Sequence, residues 1–190
     1  MSAIALFPLN TVLFPGGTLP LKIFEPRYVD LVSACLRDDA GFGVAPILRG
    51  REVGAPAETY PIGTVARITD WDQGADGLLH ITALGTTRFR IASVSHRPNG
   101  LIDAEIESFD DGDDPVLSAD HAHLAELFDA LWQRLALPRP SPAPLATRSL
   151  CYRLAELLPF EPATRVAVLA ADDIELQLRL VEREIRAIFR

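Results

Sequence analysis

Two histidines in the second half of the chain lie beside several acidic residues, a combination that could hold a metal ion. His121 and His123 follow Asp113, Asp114 and Asp120. A metal site needs several donors that converge on one point, with neutral imidazoles among them. Residues two apart on a helix point to different sides, which disfavours a shared ion. We therefore predict a polar helix start, where acidic side chains suit the N-terminal dipole, and no metal or other cofactor.

The other candidates for chemistry are equally incomplete. Asp70, Asp72 and Asp76 precede Gly77, but their spacing differs from that of a calcium loop and no glutamate closes the pattern, so we predict a solvated hairpin loop. Cys35 and Cys151 lie in apolar helical patterns, which predicts buried, reduced thiols. The G-x-S-x-G motif of a serine nucleophile is absent from the sequence.

Composition limits the class of protein. The chain has 190 residues, of which 48% are hydrophobic, so one or two domains with a real core are expected. The net charge of −8 argues against a general nucleic-acid binder, which needs a basic face to neutralise phosphates. Neither a signal-peptide pattern nor an apolar run of membrane-spanning length is present, which predicts a cytoplasmic protein.

The first part of the chain, to about residue 115, is predicted to be rich in β-strands. One helix interrupts it: Pro26 suits a first helical turn, and Tyr28, Leu31, Val32 and Cys35 recur at helical spacing. Apolar runs and alternating patterns predict strands over 4–7, 18–24, 44–48, 62–69, 78–84, 86–94 and 101–108.

After residue 115 the apolar residues recur at helical spacing. An acidic stretch, 110–114, is interpreted as a flexible connector, and four prolines between 138 and 144 predict a second, extended connector. We therefore predict an α+β protein with two parts: a β-rich subdomain over 1–115 and a helical bundle over 116–190.

Several segments together resemble one known family. Residues 6–28 read LFPLNTVLFPGGTLPLKIFEPRY, and they are followed by GFGV at 41–44, IGTVARI at 62–68, GTTRFRI at 85–91 and LAELLP at 154–159. This series resembles the N-terminal, substrate-binding domain of Lon proteases. The resemblance implies a PUA-like pseudo-barrel followed by a helical bundle, and polypeptide recognition in place of chemistry.

The catalytic parts of that protease are not carried over by the resemblance. The protease uses the phosphate-binding loop G-x-x-x-x-G-K-[ST] and a Ser–Lys dyad, and this sequence holds no such loop. Its single lysine, Lys22, lies in a strand-like run. We therefore predict that the protein is not an enzyme.

Aromatic residues at predicted loops and helix starts are the sharpest sign of a peptide-binding site. Phe14 precedes a Pro-Gly-Gly turn, Tyr28 begins the first helix, and Trp71 opens the predicted hairpin loop. Arg27 could pair with a carboxylate or stack on a ring. We predict that Phe14, Arg27, Tyr28 and Trp71 bind peptide, with core packing as the alternative for the aromatic residues.

The leading functional hypothesis is a non-catalytic module that binds unfolded or exposed polypeptide segments, acting as an adaptor or regulator in proteolysis. A protease is a further candidate partner, no membrane or nucleic acid is expected, and the protein is predicted to be a monomer or weak homodimer. One alternative is an RNA-associated PUA-like protein, for which Arg67, Arg88 and Arg90 could form an arginine face. The other is a small-molecule-binding protein with its site between the two subdomains.

Overall fold

A computed structural model describes residues 2–135 and 145–190. Within these ranges it contains seven β-strands, five α-helices and one short 3-10 helix, which confirms the predicted α+β class. The chain divides into two compact units, residues 1–109 and residues 110–190. The predicted proline connector, 138–144, lies outside the described residues.

The first unit holds all seven strands and one helix. In chain order its elements are β1 (Ser2–Leu9), β2 (Thr18–Ile23), α1 (Pro26–Asp38), β3 (Phe42–Arg49), β4 (Glu58–Thr59), β5 (Ile62–Gln73), β6 (Leu79–His96) and β7 (Ile102–Ser108).

The strands form one sheet whose pairing path closes on itself. The order is β1-β7-β6-β5-β3-β4, and β1 also pairs in parallel with β3. Strand β2 lies off this path and pairs antiparallel with the first part of β6, from Thr18↔Leu84 to Ile23↔Leu79. The first part of β6 therefore lies between β2 and β5, whereas its second part pairs with β7.

Two of the predicted strands, 78–84 and 86–94, are one continuous strand. Strand β6 continues through Gly85. A Cβ at this position would meet the carbonyl oxygen of Phe14, so the glycine is needed for the close approach of that backbone segment. The backbone N–H of Gly16 donates to Gly85 O, and that of Gly85 donates to Gly17 O, both at 2.8 Å. Gly85, which lies between the two predicted strands, is thus the point where the backbone of Gly16 and Gly17 is hydrogen-bonded to β6.

Helix α1 packs one face against the core of the first unit. Pro26 lies in the first turn, where a missing N–H costs no helical hydrogen bond. The ring of Tyr28 stacks on that of Phe7 with centroids 3.9 Å apart. The core also contains the buried side chains of Leu9, Leu13, Ile23, Leu31, Val32, Cys35, Phe42, Val44, Ile81 and Leu101.

The second unit is helical. A 3-10 helix (Ala119–His121) leads into α2 (Ala122–Leu135), and the others are α3 (Thr147–Leu157), α4 (Pro162–Ala170) and α5 (Ile174–Ile188). Helix α3 contacts α2, α4 and α5. Cys151 of α3 is fully buried, and this burial raises the pKa of its thiol to about 12. Both cysteines are buried and free of disulfides, as the sequence predicts.

The acidic stretch that we interpreted as a flexible connector has a structural role at one residue. Helix α3 begins after Ala146, whose side chain cannot cap the helix. Asp114 accepts instead, from the backbone N–H groups of Arg148 at 2.7 Å and Ser149 at 3.0 Å, and from Ser149 Oγ at 2.9 Å. A carboxylate more than thirty positions earlier thus satisfies the first N–H groups of the helix.

We expect Asp114→Ala to lower the free energy of unfolding by about 1–3 kcal/mol, because charged hydrogen bonds and a helix cap are lost together. Urea unfolding followed by circular dichroism measures the effect. Asp113→Ala is the matched control, because Asp113 is exposed and makes no recorded contact in the described part of the chain. Equal losses in the two variants would contradict the capping role.

Candidate functional site

The surface that carries Trp71 is a three-stranded region made of β2, the first part of β6 and the end of β5. Cross-strand register aligns Leu21, Ile81 and Trp71, so these three side chains share one face. Lys22, His80 and Asp72 are aligned in the same way on the opposite face. Our prediction that Trp71 opens a hairpin loop is therefore wrong, because β5 continues through it to Gln73.

Trp71 is the most exposed of the four predicted binding residues, at 58% of its possible surface. It lines a depression of about 380 Å³ together with Phe24, Val29 and the end of the β5–β6 hairpin. Phe24 is 54% exposed and Val29 is also exposed. We call these three side chains, Phe24, Val29 and Trp71, the hairpin patch.

Two further depressions adjoin the hairpin patch. One of about 420 Å³ contains Trp71 with Pro20, Lys22 and His80. The other, of about 190 Å³, contains Phe24 with Tyr28 and Phe7. Each of the three depressions is lined by an aromatic residue of the patch and by residues at or next to β2.

The other three predicted binding residues are buried. Phe14 is fully buried, and Tyr28 is only 5% exposed, with burial as the main cause that raises the pKa of its hydroxyl. Arg27 is 7% exposed; its guanidinium pairs with Glu25 at 2.9 Å and donates to Gly100 O at 3.1 Å. Trp71 is therefore the most accessible of the four to a ligand, and Tyr28 lines the depression of about 190 Å³.

Sequence reasoning missed Phe24 and Val29. Phe24 follows Ile23 directly, so it breaks the alternation of Leu19, Leu21 and Ile23 and cannot share their face. Val29 falls outside the helical spacing of Tyr28, Leu31, Val32 and Cys35. In both cases the sequence shows an apolar residue that does not fit the apolar periodicity of its strand or helix, and such a residue is expected to lie off the buried face.

The turn of the hairpin is held by Asp76. Its carboxylate accepts from the backbone N–H of Leu78 at 3.1 Å and pairs with Lys22 Nζ at 3.2 Å and His80 Nε2 at 3.2 Å. These groups, the Leu78 N–H above all, hold the pKa of Asp76 at about 2. The only lysine of the sequence thus connects β2 to the turn of the neighbouring hairpin.

The histidine pair lies in the second unit. His121 Nε2 and His123 Nε2 lie 3.7 Å and 3.3 Å from Glu182 Oε1 of α5. His121 belongs to the 3-10 helix and His123 to α2, so the argument from two residues of one helix does not apply to this pair. No group of three or more potential metal ligands occurs among residues 2–135 and 145–190.

Comparison with known proteins defines the class to which this fold belongs. The family model described as the ATP-dependent protease La (LON) substrate-binding domain matches residues 3–187. The crystal structure of a Lon N-terminal domain protein from Xanthomonas campestris matches with 34% identity and a TM-score of 0.80 over 98% of both chains. The N-terminal domain of a Mycobacterium avium complex Lon protease has the same fold, with a TM-score of 0.66, at 16% identity over 95% of this chain and 96% of that one.

The curated sequence relatives are longer proteins. Lon protease 2 of Myxococcus xanthus is 34% identical over 86 residues, which is 45% of this chain but 10% of that protease. The chain belongs to the Lon substrate-binding domain family, as the sequence motifs predicted. Residues 3–187 match the substrate-binding domain of that family and include neither its ATPase nor its protease domain. No helix in the described ranges has the length and apolar character to span a bilayer.

We expect the Asp76 carboxyl to titrate near pH 2, and its midpoint to rise in Lys22→Met, because an opposing charge is removed. The rise in the pKa should be partial, because the backbone N–H of Leu78 still donates to the Asp76 carboxylate. Because the folded-state pKa is lowered, Asp76 stabilises the hairpin fully above about pH 4 and loses this effect as the pH falls through about 2. Carbon-13 NMR of the side-chain carboxyls measures the midpoint.

Lys22→Arg is the control for that titration, because it keeps the positive charge at the same position. Its Asp76 midpoint should remain near that of the unmodified protein. A midpoint in Lys22→Met that matches the control would exclude Lys22 as a cause of the lowered pKa.

Proposed function

We propose that this protein is a non-catalytic module that binds unfolded or exposed polypeptide segments through the hairpin patch. The observation that carries the proposal is the exposure of two large aromatic side chains, Phe24 and Trp71, beside Val29. The family supports the substrate class, because its domain is the substrate-binding part of an ATP-dependent protease.

The chemistry of the patch fits this substrate. Unfolded chains expose the aliphatic and aromatic side chains that folded proteins bury, and an exposed group of apolar side chains is a usual protein-interaction surface. Aromatic residues are also the most frequent large contributors to binding energy at interfaces. The depressions lined by Trp71 supply space for side chains of a bound segment.

The finer features remain part of the proposal. We infer a cytoplasmic adaptor or regulator in proteolysis, with a protease as a further partner, that is a monomer or weak homodimer. The closed pairing path of the first unit supports a PUA-like pseudo-barrel. The contacts of α3 with α2, α4 and α5 support a helical bundle in the second unit.

No observation favours the RNA-binding alternative. Arg88 is 1% exposed and its guanidinium lies 4.1 Å from the centre of the Phe109 ring, so it is not available to phosphate. Arg90 lies over the same ring at 4.4 Å, and Arg67 pairs with Asp39 at 3.7 Å. The predicted arginine face is thus not a single exposed surface. A small-molecule site between the subdomains stays a prediction.

We expect Phe24→Ala and Trp71→Ala each to weaken binding of a permanently unfolded protein by about tenfold, because each removes a large exposed apolar contact. A reduced and carboxymethylated protein serves as the ligand, and fluorescence anisotropy gives the Kd. Circular dichroism verifies that the variants are folded.

Phe189→Ala is the matched control, because Phe189 is 63% exposed but lies in the second unit. Its affinity for the unfolded ligand should equal that of the unmodified protein. Equal weakening in Phe24→Ala and Phe189→Ala, or no weakening in Trp71→Ala, would refute binding at the hairpin patch.

A further inference from the structure

The end of β5 is a sheet edge without a partner strand. On one side β5 pairs with β6 as far as Gln73, but on the other it pairs with β3 only from Thr64 to Ala66. Beyond Ala66 that second side has no strand partner within residues 2–135 and 145–190. Residues 69–73 are all exposed. An extended peptide can add to such an edge through backbone hydrogen bonds.

The backbone at this edge is arranged to accept a strand. The N–H of Trp71 donates to Oδ1 of the preceding Asp70 at 3.0 Å, so a neighbouring side chain, and no strand, satisfies this donor. The bond is exposed, and replacing a carboxylate in water by a peptide carbonyl therefore costs little. Once replaced, the Asp70 carboxylate becomes available to a cation.

The charges at the edge are unequal on the two faces. Asp70 and Asp72 flank Trp71 in sequence, so both point to the face opposite the indole. Neither takes part in an ion pair among the described residues. The basic side chains on that face, Lys22 and His80, both contact Asp76 at 3.2 Å. The edge therefore presents two unneutralised carboxylates on one face and an exposed indole on the other.

We propose that this edge selects extended segments with the pattern basic–apolar–basic, bound as an added strand along residues 70–72 of β5. The central apolar side chain contacts Trp71, and the flanking Lys or Arg side chains on the other face pair with Asp70 and Asp72. Opposite charges directly across two strands are favourable, and a period of two permits only this alternation. The inference rests on the proposed function and specifies which exposed segments it prefers.

The test uses four short peptides that differ in three central residues: Lys-Val-Lys, Gln-Val-Gln, Glu-Val-Glu and Lys-Lys-Val. We expect the unmodified protein to bind Lys-Val-Lys about fivefold to tenfold more tightly than Gln-Val-Gln, from two cross-strand pairs. Glu-Val-Glu should bind more weakly than Gln-Val-Gln. Lys-Lys-Val has the charge of the first peptide but not its alternation, so it should lose most of the preference.

Two double variants show whether the named carboxylates cause the preference. In Asp70→Asn with Asp72→Asn, the Kd values for Lys-Val-Lys and Gln-Val-Gln should become equal. Glu126→Gln with Glu175→Gln makes the same change in net charge at exposed positions of the second unit, and it should keep the full preference. Nitrogen-15 NMR should show the Trp71 backbone amide shifted and protected from exchange when Lys-Val-Lys binds.

The outcomes separate this inference from the function on which it rests. If the permanently unfolded protein binds at the hairpin patch but the Lys-Val-Lys preference is absent, or survives in the Asp70/Asp72 variant, the inference is overturned and the function stands. Equal affinity for Lys-Val-Lys and Lys-Lys-Val overturns strand addition and leaves only charge attraction. If neither the peptides nor the unfolded protein binds, both are overturned.

Discussion

The position of the hairpin patch depends on the contact between the 13–17 turn and Gly85. Two backbone hydrogen bonds of 2.8 Å join this turn to the middle of β6, and the hydroxyl of Thr64 in β5 donates to Leu13 O at 2.6 Å. Strand β2 begins at the next residue of the chain, so the contact sets its register on β6. That register in turn aligns Leu21 with Ile81 and Trp71, and it carries Phe24 to the hairpin patch. A side chain at position 85 would meet the Phe14 carbonyl and would therefore displace β2 and the residues that its register aligns.

The same arrangement separates the stable part of the first unit from the part that is free to bind. The inner portions of β5 and β6 pair with β3 and β7 and cover a core of buried side chains. Within the described ranges, their other ends pair only with each other and with β2. Exposed residues such as Trp71 therefore lie where substitution removes little core packing. Binding specificity in this domain can change at low cost to the stability of the fold.

Much of this organisation could be predicted from the sequence, and the failures have identifiable physical causes. The α1 face and most strands follow from apolar periodicity, and the family follows from its ordered motifs. The role of Asp114 could not be predicted, because its bonds reach α3 across more than thirty positions. Trp71 was assigned to a loop because aspartates surround it, whereas cross-strand pairing with Ile81 keeps it in a strand. Phe14 and Tyr28 lie beside a turn and at a helix start as predicted, and both are buried, which agrees with core packing, the alternative prediction for these aromatic residues.

The single lysine has a chemical consequence for the surface that it borders. Seventeen of the eighteen basic residues are arginines, so Lys22 is the only side-chain primary amine. Its side chain is 64% exposed and lines the depressions of about 420 Å³ and 190 Å³ next to the hairpin patch. Acylation or isopeptide attachment at a lysine side chain of this sequence can therefore occur only beside the hairpin patch. A lysine-directed reagent, which modifies many side chains in most proteins, would modify a single lysine side chain here.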